Sequence, residues 1–396
     1  MDARLPTTVT VCVVLTLACS GASTVFAQVP IESYRPVNTV NVSFTPARPL
    51  GFPNPTDSNT PVVWVGGQLL VFSSVAGGTA RAAGTRLEDA SSSDGDETLG
   101  MEYTNDIGSG RWLESVVRDD DSGRLYGWYH NEIPTDCPQG VLLWPQIGAT
   151  MSDDNGATWT DLGIVLTHRE GTVSCDTDHP VTNGGVGDFS VILDRQQDPA
   201  EQYLYFLFSS YGGDLEEQGI SLGRMLWVDR DRPLDPISGE SAVMKWDGQA
   251  WASSGIGGRS IANFHDAEQV EWASAGNNGF WGPSVHWNVD LQKFVVLMSR
   301  SRGGNYDPGG IYMSWTTSLD APQSWATPKL IIGTNQGWYP QVVGDPAIQG
   351  TDKLAGSGAR YFNQGQSSSL IWFAEAQPAD KVSEPAPSPG ELTRPR

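Results

Sequence analysis

Apolar residues along the chain fall into short runs separated by polar turns, and no long stretch repeats them at helical spacing. The run 187–193 reads Gly-Asp-Phe-Ser-Val-Ile-Leu, and a second apolar run follows at 203–208. Because both are rich in β-branched or aromatic residues, they predict a pair of antiparallel strands. The first strand has a carboxylate, Asp188, at its head.

The same pair of runs recurs four more times. The leading runs align at five positions: Pro61-Val62, Ser115-Val116, Ser190-Val191, Ser284-Val285 and Gln341-Val342. Strand-rich repeats of this length are typical of a propeller. The sequence therefore predicts an all-β fold, a five-bladed β-propeller of four-stranded antiparallel blades. The heads of its inner strands would face one mouth of a central channel, and the segment 39–44 predicts an edge or closing strand.

The two ends of the chain differ from the repeats. An apolar core at 9–17, followed by small or β-branched residues before Ala27, predicts a signal peptide over residues 1–27. Cys19 leaves lipoprotein processing as an alternative. We expect the propeller to span 28–376 and the Pro-rich segment 377–396 to be a disordered tail. The protein would then be exported, to the periplasm or the extracellular space, as a monomer without a membrane span.

Charge and cysteines narrow the choice of partners. The formal net charge is −22 and no basic patch offsets it, which argues against nucleic acid or an anionic membrane as partner. A carbohydrate partner agrees with this charge. Cys137 and Cys175 remain after signal removal and predict one disulfide, with two separate buried thiols as the alternative. The spacing supports no zinc site, and no cofactor is expected, although Asp188 or Asp57 leaves a structural calcium open.

Two further segments share the pattern Ser-x-Asp-x-Gly-x-x-Trp. The first spans 152–159, and the second spans 318–325 with Pro322 in place of the glycine. This pattern is the Asp-box turn, in which the Asp bonds a tight turn and the Trp packs beneath it. The turn belongs to the periphery of a blade, so we expect Asp154 and Asp320 to be structural.

The strand pairs resemble the inner blades of five-bladed β-propeller glycoside hydrolases of families 43 and 32, the arabinanase, xylosidase, levansucrase and invertase group. The mature chain is also similar to an uncharacterised group of exported bacterial propeller proteins with Asp-boxes. Four segments show the likeness: 129–132 (Tyr-His-Asn-Glu), 187–190 (Gly-Asp-Phe-Ser), 281–287 (Trp-Gly-Pro-Ser-Val-His-Trp) and 338–342 (Trp-Tyr-Pro-Gln-Val).

The resemblance implies three catalytic carboxylates at the heads of inner strands. They are an Asp base in the first blade, an Asp that tunes a pKa in a middle blade, and a Glu acid in a later one. Asp57 lies near the first position, although the family's Asp-Pro pair is missing, and Asp188 matches the middle position. The acid position of a Glu-Gly-Pro-like motif falls on Trp281, and a tryptophan cannot protonate a leaving oxygen.

Glycoside hydrolysis needs two carboxyl groups beside the scissile bond, one of them protonated near neutral pH. Four carboxylates are predicted to face the channel mouth: Asp57, Glu114, Glu132 and Asp188. Either glutamate would replace the missing acid, with Asp188 or Asp57 as the base. Carboxylates satisfied by strand-end amides or by an arginine are the alternative.

Aromatic and histidine residues near the strand heads are predicted to contact the substrate. Trp281 and Trp338 precede strand heads, where sugars can stack on indole rings, although tryptophans that only pack blades are the alternative. His130 stands beside Glu132 and is a predicted substrate contact. His286 lies within an inner strand and either lines the channel or packs in the core.

Three functions agree with these patterns. The first is an exported glycoside hydrolase that acts at the channel mouth. The second is a propeller that binds glycans or a partner without catalysis, which the missing acid favours. The third, a sialidase-like hydrolase, needs three convergent arginines and a tyrosine nucleophile with a glutamate, but no arginine falls at a repeat head.

Overall fold

The computed structural model describes residues 39–54, 56–75, 78–92, 97–98, 110–198, 201–265, 269–303, 307–334 and 336–376. The predicted signal peptide (1–27) and tail (377–396) lie outside these residues, so both stay predictions. Among the described helices, none is long and apolar enough to cross a membrane.

The described strands form five sheets arranged as the blades of a propeller. The first described strand is β1 (Val40–Gly51). Blade 1 comprises β2 (Val62–Val65), β3 (Gln68–Val75), β4 (Gly78–Gly84) and β5 (Glu97–Thr98), with helix α1 (Leu87–Ser92) between β4 and β5. Blade 2 comprises β6 (Arg111–Arg118), β7 (Leu125–Cys137), β8 (Gly140–Ser152) and β9 (Thr160–Leu166). Blade 3 comprises β10 (Val186–Leu193), β11 (Tyr203–Ser210), β12 (Gly219–Leu226), β13 (Met244–Trp246), β14 (Trp251–Ser254) and β15 (Ala262–Phe264). Blade 4 comprises β16 (Phe280–Asn288), β17 (Lys293–Arg302), β18 (Asp307–Thr316), β19 (Lys329–Ile332) and β21 (Leu354–Ala355). Blade 5 comprises β20 (Gln341–Gly344), β22 (Gly358–Asn363) and β23 (Gln366–Glu375), together with β1.

The predicted five-bladed propeller is confirmed, with two differences in blade size. Blade 3 has six strands, because β13, β14 and β15 extend it, and blade 4 gains β21 as a parallel partner of its inner strand β16. In blade 5, β1 pairs with β23, so the first described strand closes the ring as its outermost strand. The segment 39–44 therefore has the closing role that its apolar pattern predicts.

Serines aligned in the repeats join the inner strands of neighbouring blades. Ser115 of blade 2 accepts a 2.8 Å hydrogen bond from the backbone N–H of Val191 in blade 3. Ser190 of blade 3 accepts a 3.2 Å bond from the N–H of Val285 in blade 4. These bonds satisfy edge amides of the inner strands, which would otherwise be buried without a partner.

The hydrophobic core lies between the facing surfaces of adjacent blades. Trp128 of blade 2 meets Phe206 of blade 3 edge-to-face at 5.7 Å, within a cluster of buried residues drawn from both sheets. A similar cluster joins blades 4 and 5 around Val295 and Ile371. Each blade therefore depends on its neighbours for burial, and the ring fixes where the strand heads meet.

Polar side chains bridge the inner strands across the centre of the ring. The side-chain amide of Asn59 donates to the carbonyls of Phe189 and Pro283, both at 2.7 Å. From the loop after β20, Lys353 donates a 2.6 Å bond to Ser190. The centre therefore holds side chains that tie blades 1, 3, 4 and 5 together.

Candidate active site

A cavity of about 700 Å³ lies at the heads of the inner strands. Most of the predicted site residues line it: Asp57, Glu114, His130, Glu132, Asp188, Trp281 and Trp338. They come from blades 1 to 4 and from the segment that leads into blade 5. The propeller thus brings together side chains that are far apart in sequence.

A β-bulge between β10 and β11 sets the direction of the Asp188 side chain. Gly187 pairs with Ser209 and Phe189 pairs with Phe208, which leaves Asp188 as the extra residue. Its φ angle is 38°, in the left-handed region that aspartate tolerates better than most residues. A bulge redirects a side chain away from the regular alternation of the strand, and here it turns the carboxylate to the cavity.

Two tyrosine hydroxyls donate hydrogen bonds to the Asp188 carboxylate. Tyr339 donates to one oxygen at 3.1 Å, and Tyr211 donates to the other. Burial, followed by the charge of Asp188, raises the pKa of both tyrosines well above the ordinary value. Both phenols therefore stay protonated and act as donors to this carboxylate.

Glu114 is completely buried behind this carboxylate. It is the extra residue of a second bulge, between β6 and β7, where Leu113 and Ser115 are the flanking paired residues. One oxygen lies 3.0 Å from His130 Nδ1, and the other accepts the Phe189 N–H at 2.7 Å. Burial raises the pKa of Glu114 to about 7, although both hydrogen bonds act in the opposite direction. Glu114 borders the cavity but exposes no surface to a substrate.

The His130 ring lies among three carboxylates. Besides its bond to Glu114, Nδ1 lies 3.7 Å from Asp188, and Nε2 lies 3.8 Å from Glu132. Burial alone would lower the pKa of His130, but the hydrogen bond and charge of Glu114 raise it to about 9. Only glycine fits at Gly187 beside this ring, because a Cβ there would lie 2.6 Å from Cε1.

Glu132 and Asp57 are the most exposed carboxylates of the cavity, whereas the Asp188 side chain keeps about 12% of its surface exposed. The Glu132 side chain, on β7, keeps about 20% of its surface exposed. Burial raises the pKa of Glu132, the charges of Asp188 and Asp57 raise it further, and His130 opposes them. Asp57 precedes β2 and is more accessible, and its enclosure by the cavity walls together with the charge of Asp188 raises its pKa as well.

An aromatic wall faces these carboxylates. Trp281 lies 5.8 Å from Trp338 and 5.3 Å from Tyr339, measured between ring centroids. Trp272, from the insertion between blades 3 and 4, extends the wall at 6.4 Å from Trp281 and 4.9 Å from Tyr211. Flat, rigid rings of this kind present apolar faces on which sugar CH groups can stack.

Several lining residues were not predicted from the sequence. They are Trp112, His179, Tyr211, Trp272 and Tyr339. Tyr339 lies inside the segment 338–342 that resembles the hydrolase family, so its neighbourhood was visible although its role was not. Tyr211 follows the apolar run 203–208 after two serines, and nothing in its local pattern separates it from a packing residue.

His286 is not part of the cavity, which corrects its prediction as a substrate contact. Its ring is fully buried in β16, at 5.4 Å from the ring of Phe373 in blade 5. Burial lowers the pKa of His286 to about 3, so the ring is neutral. The core-packing alternative therefore describes this residue, because the face of β16 on which it lies meets the neighbouring blade.

The predicted disulfide is present. Cys137, at the end of β7, is bonded to Cys175 with a Cα–Cα distance of 5.4 Å. The bridge anchors the loop that leads into blade 3, and residues 179–182 of that loop form one wall of the cavity. The disulfide therefore holds the cavity-lining loop as well as the fold.

The two aspartates of the repeated turn pattern lie away from the cavity. Asp154 accepts hydrogen bonds from the N–H and hydroxyl of Thr158, at 2.8 and 2.7 Å, in the turn between β8 and β9. Asp320 forms an ion pair with Arg224 of blade 3. Asp154 therefore bonds its own turn, whereas Asp320 contacts the neighbouring blade, so the Asp-box identity of the two turns stays a prediction.

Glu114, His130 and Asp188 offer ligand atoms within 4.8 Å of one another, close enough to share a metal ion. Their atoms nevertheless take part in a hydrogen-bond network. Glu114 accepts a hydrogen bond from the Phe189 N–H and forms another with the His130 ring. Asp188 accepts hydrogen bonds from the hydroxyls of Tyr211 and Tyr339. We therefore describe the cluster as an acid–base network, and the structural calcium stays a prediction.

Comparisons with known proteins find similarity to solved structures alone. No family model matches the chain, and no curated protein matches it. Among solved structures, the exo-β-1,3-galactanase of Phanerochaete chrysosporium aligns with a TM-score of 0.46 and 12% identity, over 85% of this chain and 64% of that one. The chain thus spans less than two thirds of the galactanase.

Two further solved structures align with this chain over almost their whole length. The catalytic domain of a family 62 α-L-arabinofuranosidase from Coprinopsis cinerea aligns with a TM-score of 0.46 and 13% identity, over 84% of this chain and 96% of that one. A Bacillus subtilis arabinanase aligns with a TM-score of 0.40 and 11% identity, over 82% and 96%. These structures are glycoside hydrolases of the kind that the sequence resembles, and at 11–13% identity the likeness concerns the fold alone.

Proposed function

We propose that this protein is a glycoside hydrolase that cleaves an uncharged saccharide in the cavity at the strand heads. One observation carries the proposal. Asp188 and Glu132, from blades 3 and 2, border the same cavity as the indole rings of Trp272, Trp281 and Trp338. Two carboxyl groups that flank a stacked sugar are the minimum that glycosidic cleavage requires.

The surroundings of these two carboxyl groups suit opposite tasks. Asp188 accepts hydrogen bonds from two phenols, which hold its carboxylate oxygens in place at the cavity. Burial and neighbouring negative charge raise the pKa of Glu132, which favours its protonated form. In the proposed reaction, Glu132 donates its proton to the leaving oxygen. Asp188 either attacks the anomeric carbon or takes a proton from the attacking water.

The charges around the cavity favour an uncharged substrate. No arginine or lysine is among the lining residues that the structure describes, whereas four carboxylates are. A sialic acid or uronic acid would bring its own carboxylate into this negative site without a cation to pair with. The sialidase-like hypothesis therefore lacks the arginines it needs at this cavity.

A non-catalytic glycan-binding propeller is the second candidate. The observation in its favour is Trp281, which occupies the position where the resembling enzymes have their acid. The disulfide between Cys137 and Cys175 supports the further proposal that the protein is exported to an oxidising compartment. Export itself is tested by finding the protein, without its first residues, outside the cytoplasm.

The test uses a panel of uncharged and uronic-acid-containing oligosaccharides with the full chain. We expect the wild-type protein to release new reducing ends from at least one uncharged glycan, and Asp188→Asn to release none from the same glycan. The glycan-binding alternative predicts calorimetric binding by both proteins without any cleavage. Cleavage at equal rates by wild type and Asp188→Asn would overturn the assigned site.

A further inference from the structure

We infer that Glu114 and His130 form a positioning pair that holds a positive charge beside Glu132 and so sets the pH at which Glu132 gives up its proton. The inference rests on the proposed function, in which Glu132 is the acid. It assigns roles to two buried residues that do not meet the substrate. Neither is a catalytic residue, because both act through Glu132.

The geometry fixes the imidazole in a single orientation. The Phe189 N–H holds one oxygen of Glu114 at 2.7 Å, and the other oxygen lies 3.0 Å from His130 Nδ1. Trp112 contacts the ring edge-to-face at 6.2 Å, and Gly187 passes close to Cε1. Nδ1 faces Glu114 and, at 3.3 Å, the backbone N–H of Asp188, so Nε2 is the nitrogen that lies 3.8 Å from Glu132.

Charged groups from several elements face this ring. They are Glu114 on β6, Glu132 on β7, Asp188 on β10 and Asp57 before β2. This set is negative, so it favours the imidazolium over the neutral ring. Burial opposes the imidazolium, but Glu114 raises the pKa of His130 to about 9. The ring therefore carries a positive charge in neutral solution.

A fixed cation 3.8 Å from Glu132 favours the ionised carboxylate. Without the cation, burial and the charges of Asp188 and Asp57 would act alone, and Glu132 would keep its proton to higher pH. The pair of Glu114 and His130 thus limits how far the pKa of Glu132 is raised. It prevents a carboxyl group crowded by negative charge from becoming too weak an acid to protonate a leaving group.

Two substitutions test this inference from opposite ends. His130→Gln removes the cation directly. Glu114→Gln removes the charge that keeps His130 protonated, so the buried ring becomes neutral. Both variants should move the alkaline limb of the kcat/KM profile to higher pH by about one unit. A purely structural role would lower the rate or the melting temperature without moving the limb.

A second measurement does not depend on activity. Carboxyl carbon NMR of the glutamates, with Glu132→Gln used to assign the resonance, follows the titration of Glu132. Its midpoint should rise in His130→Gln and Glu114→Gln, and should not move in Glu88→Gln, an exposed glutamate of α1. If one variant does not fold, the other gives the answer.

Unchanged midpoints in both variants would overturn the inference. An active wild type with unmoved midpoints would leave the proposed function standing and reject only the pair. Moved midpoints in a protein that cleaves no glycan would reject the proposed function and keep the electrostatic pair.

Discussion

Tyr339, from the segment that leads into blade 5, donates a 3.1 Å hydrogen bond to Asp188 of blade 3. Tyr339 has a φ angle of 51°, unusual for a residue with a bulky side chain, and Asp188 lies on a bulge at 38°. Backbone strain of this kind persists where the surrounding structure enforces it, and it concentrates at functional sites. Both partners of this bond are therefore held in position by strained backbone.

Replacing Tyr339 with phenylalanine tests the value of this bond. A hydrogen bond to a charged group contributes about 1.5–3 kcal/mol, so kcat should fall by about 10- to 100-fold with a smaller change in KM. Steady-state kinetics with the best substrate give the result. Tyr312→Phe, in β18 away from the cavity, is the matched control and should keep the wild-type rate. Equal kcat for Tyr339→Phe and Tyr312→Phe would contradict the role given to this phenol.

Lys353 should be essential for stability, because it neutralises a buried carboxylate at the centre of the ring. Its Nζ lies 3.1 Å from Asp352, which is only 3% exposed, and it also bonds Ser190. Lys353→Met leaves the Asp352 charge buried without its partner, at a cost of about 3–5 kcal/mol in the free energy of unfolding. Urea denaturation measures this loss, and Asp352→Asn added to Lys353→Met should recover part of it. A loss below about 1 kcal/mol would contradict the predicted role.

Lys245 makes stability depend on pH in a defined direction. It is fully buried, its Nζ donates to the carbonyls of Thr167 and Gly258 at 2.6 Å, and burial lowers its pKa to about 7. The unfolded lysine titrates near about 10.4, so between about pH 7 and 10 the unfolded chain binds the extra proton. The contribution of Lys245 to stability therefore rises with pH across this window, by about 1 kcal/mol per unit.

Comparison with Lys245→Met isolates this contribution from all other titrations. The difference in unfolding free energy between wild type and variant should change steadily from pH 7 to pH 9 in favour of wild type. Lys329→Met, at an exposed lysine, should follow the wild-type curve. Parallel curves for wild type and Lys245→Met would contradict the lowered pKa.

The inner strands were predictable from the sequence because their signal is local. Runs such as 187–193 and 203–208 contain the β-branched and aromatic residues that strands favour, and their recurrence predicts five blades. The same locality explains Asp188, which stands at the head of its run. The two strands of blade 3 beyond the predicted four were not foreseen, since β13, β14 and β15 are all too short to show a pattern.

The contacts within the site depend on features that leave no local trace. The bulges at Glu114 and Asp188 decide where both carboxylates point, and a bulge cannot be read from side-chain alternation. His286 shows the reverse case. Its position in an inner strand suggested the channel, but the face it lies on meets Phe373 of the next blade.

The most direct test of the central claim, that Glu132 is the acid and Asp188 the nucleophile or base, compares two substrates of the same sugar. One has a 2,4-dinitrophenyl leaving group, which needs no protonation, and the other has an unactivated sugar alcohol. Glu132→Gln should lose at least about 100-fold in kcat/KM on the second substrate and keep most of its rate on the first, whereas Asp188→Asn should lose both. Equal losses by Glu132→Gln on the two substrates, or a wild-type rate for Asp188→Asn on either one, would contradict the assignment.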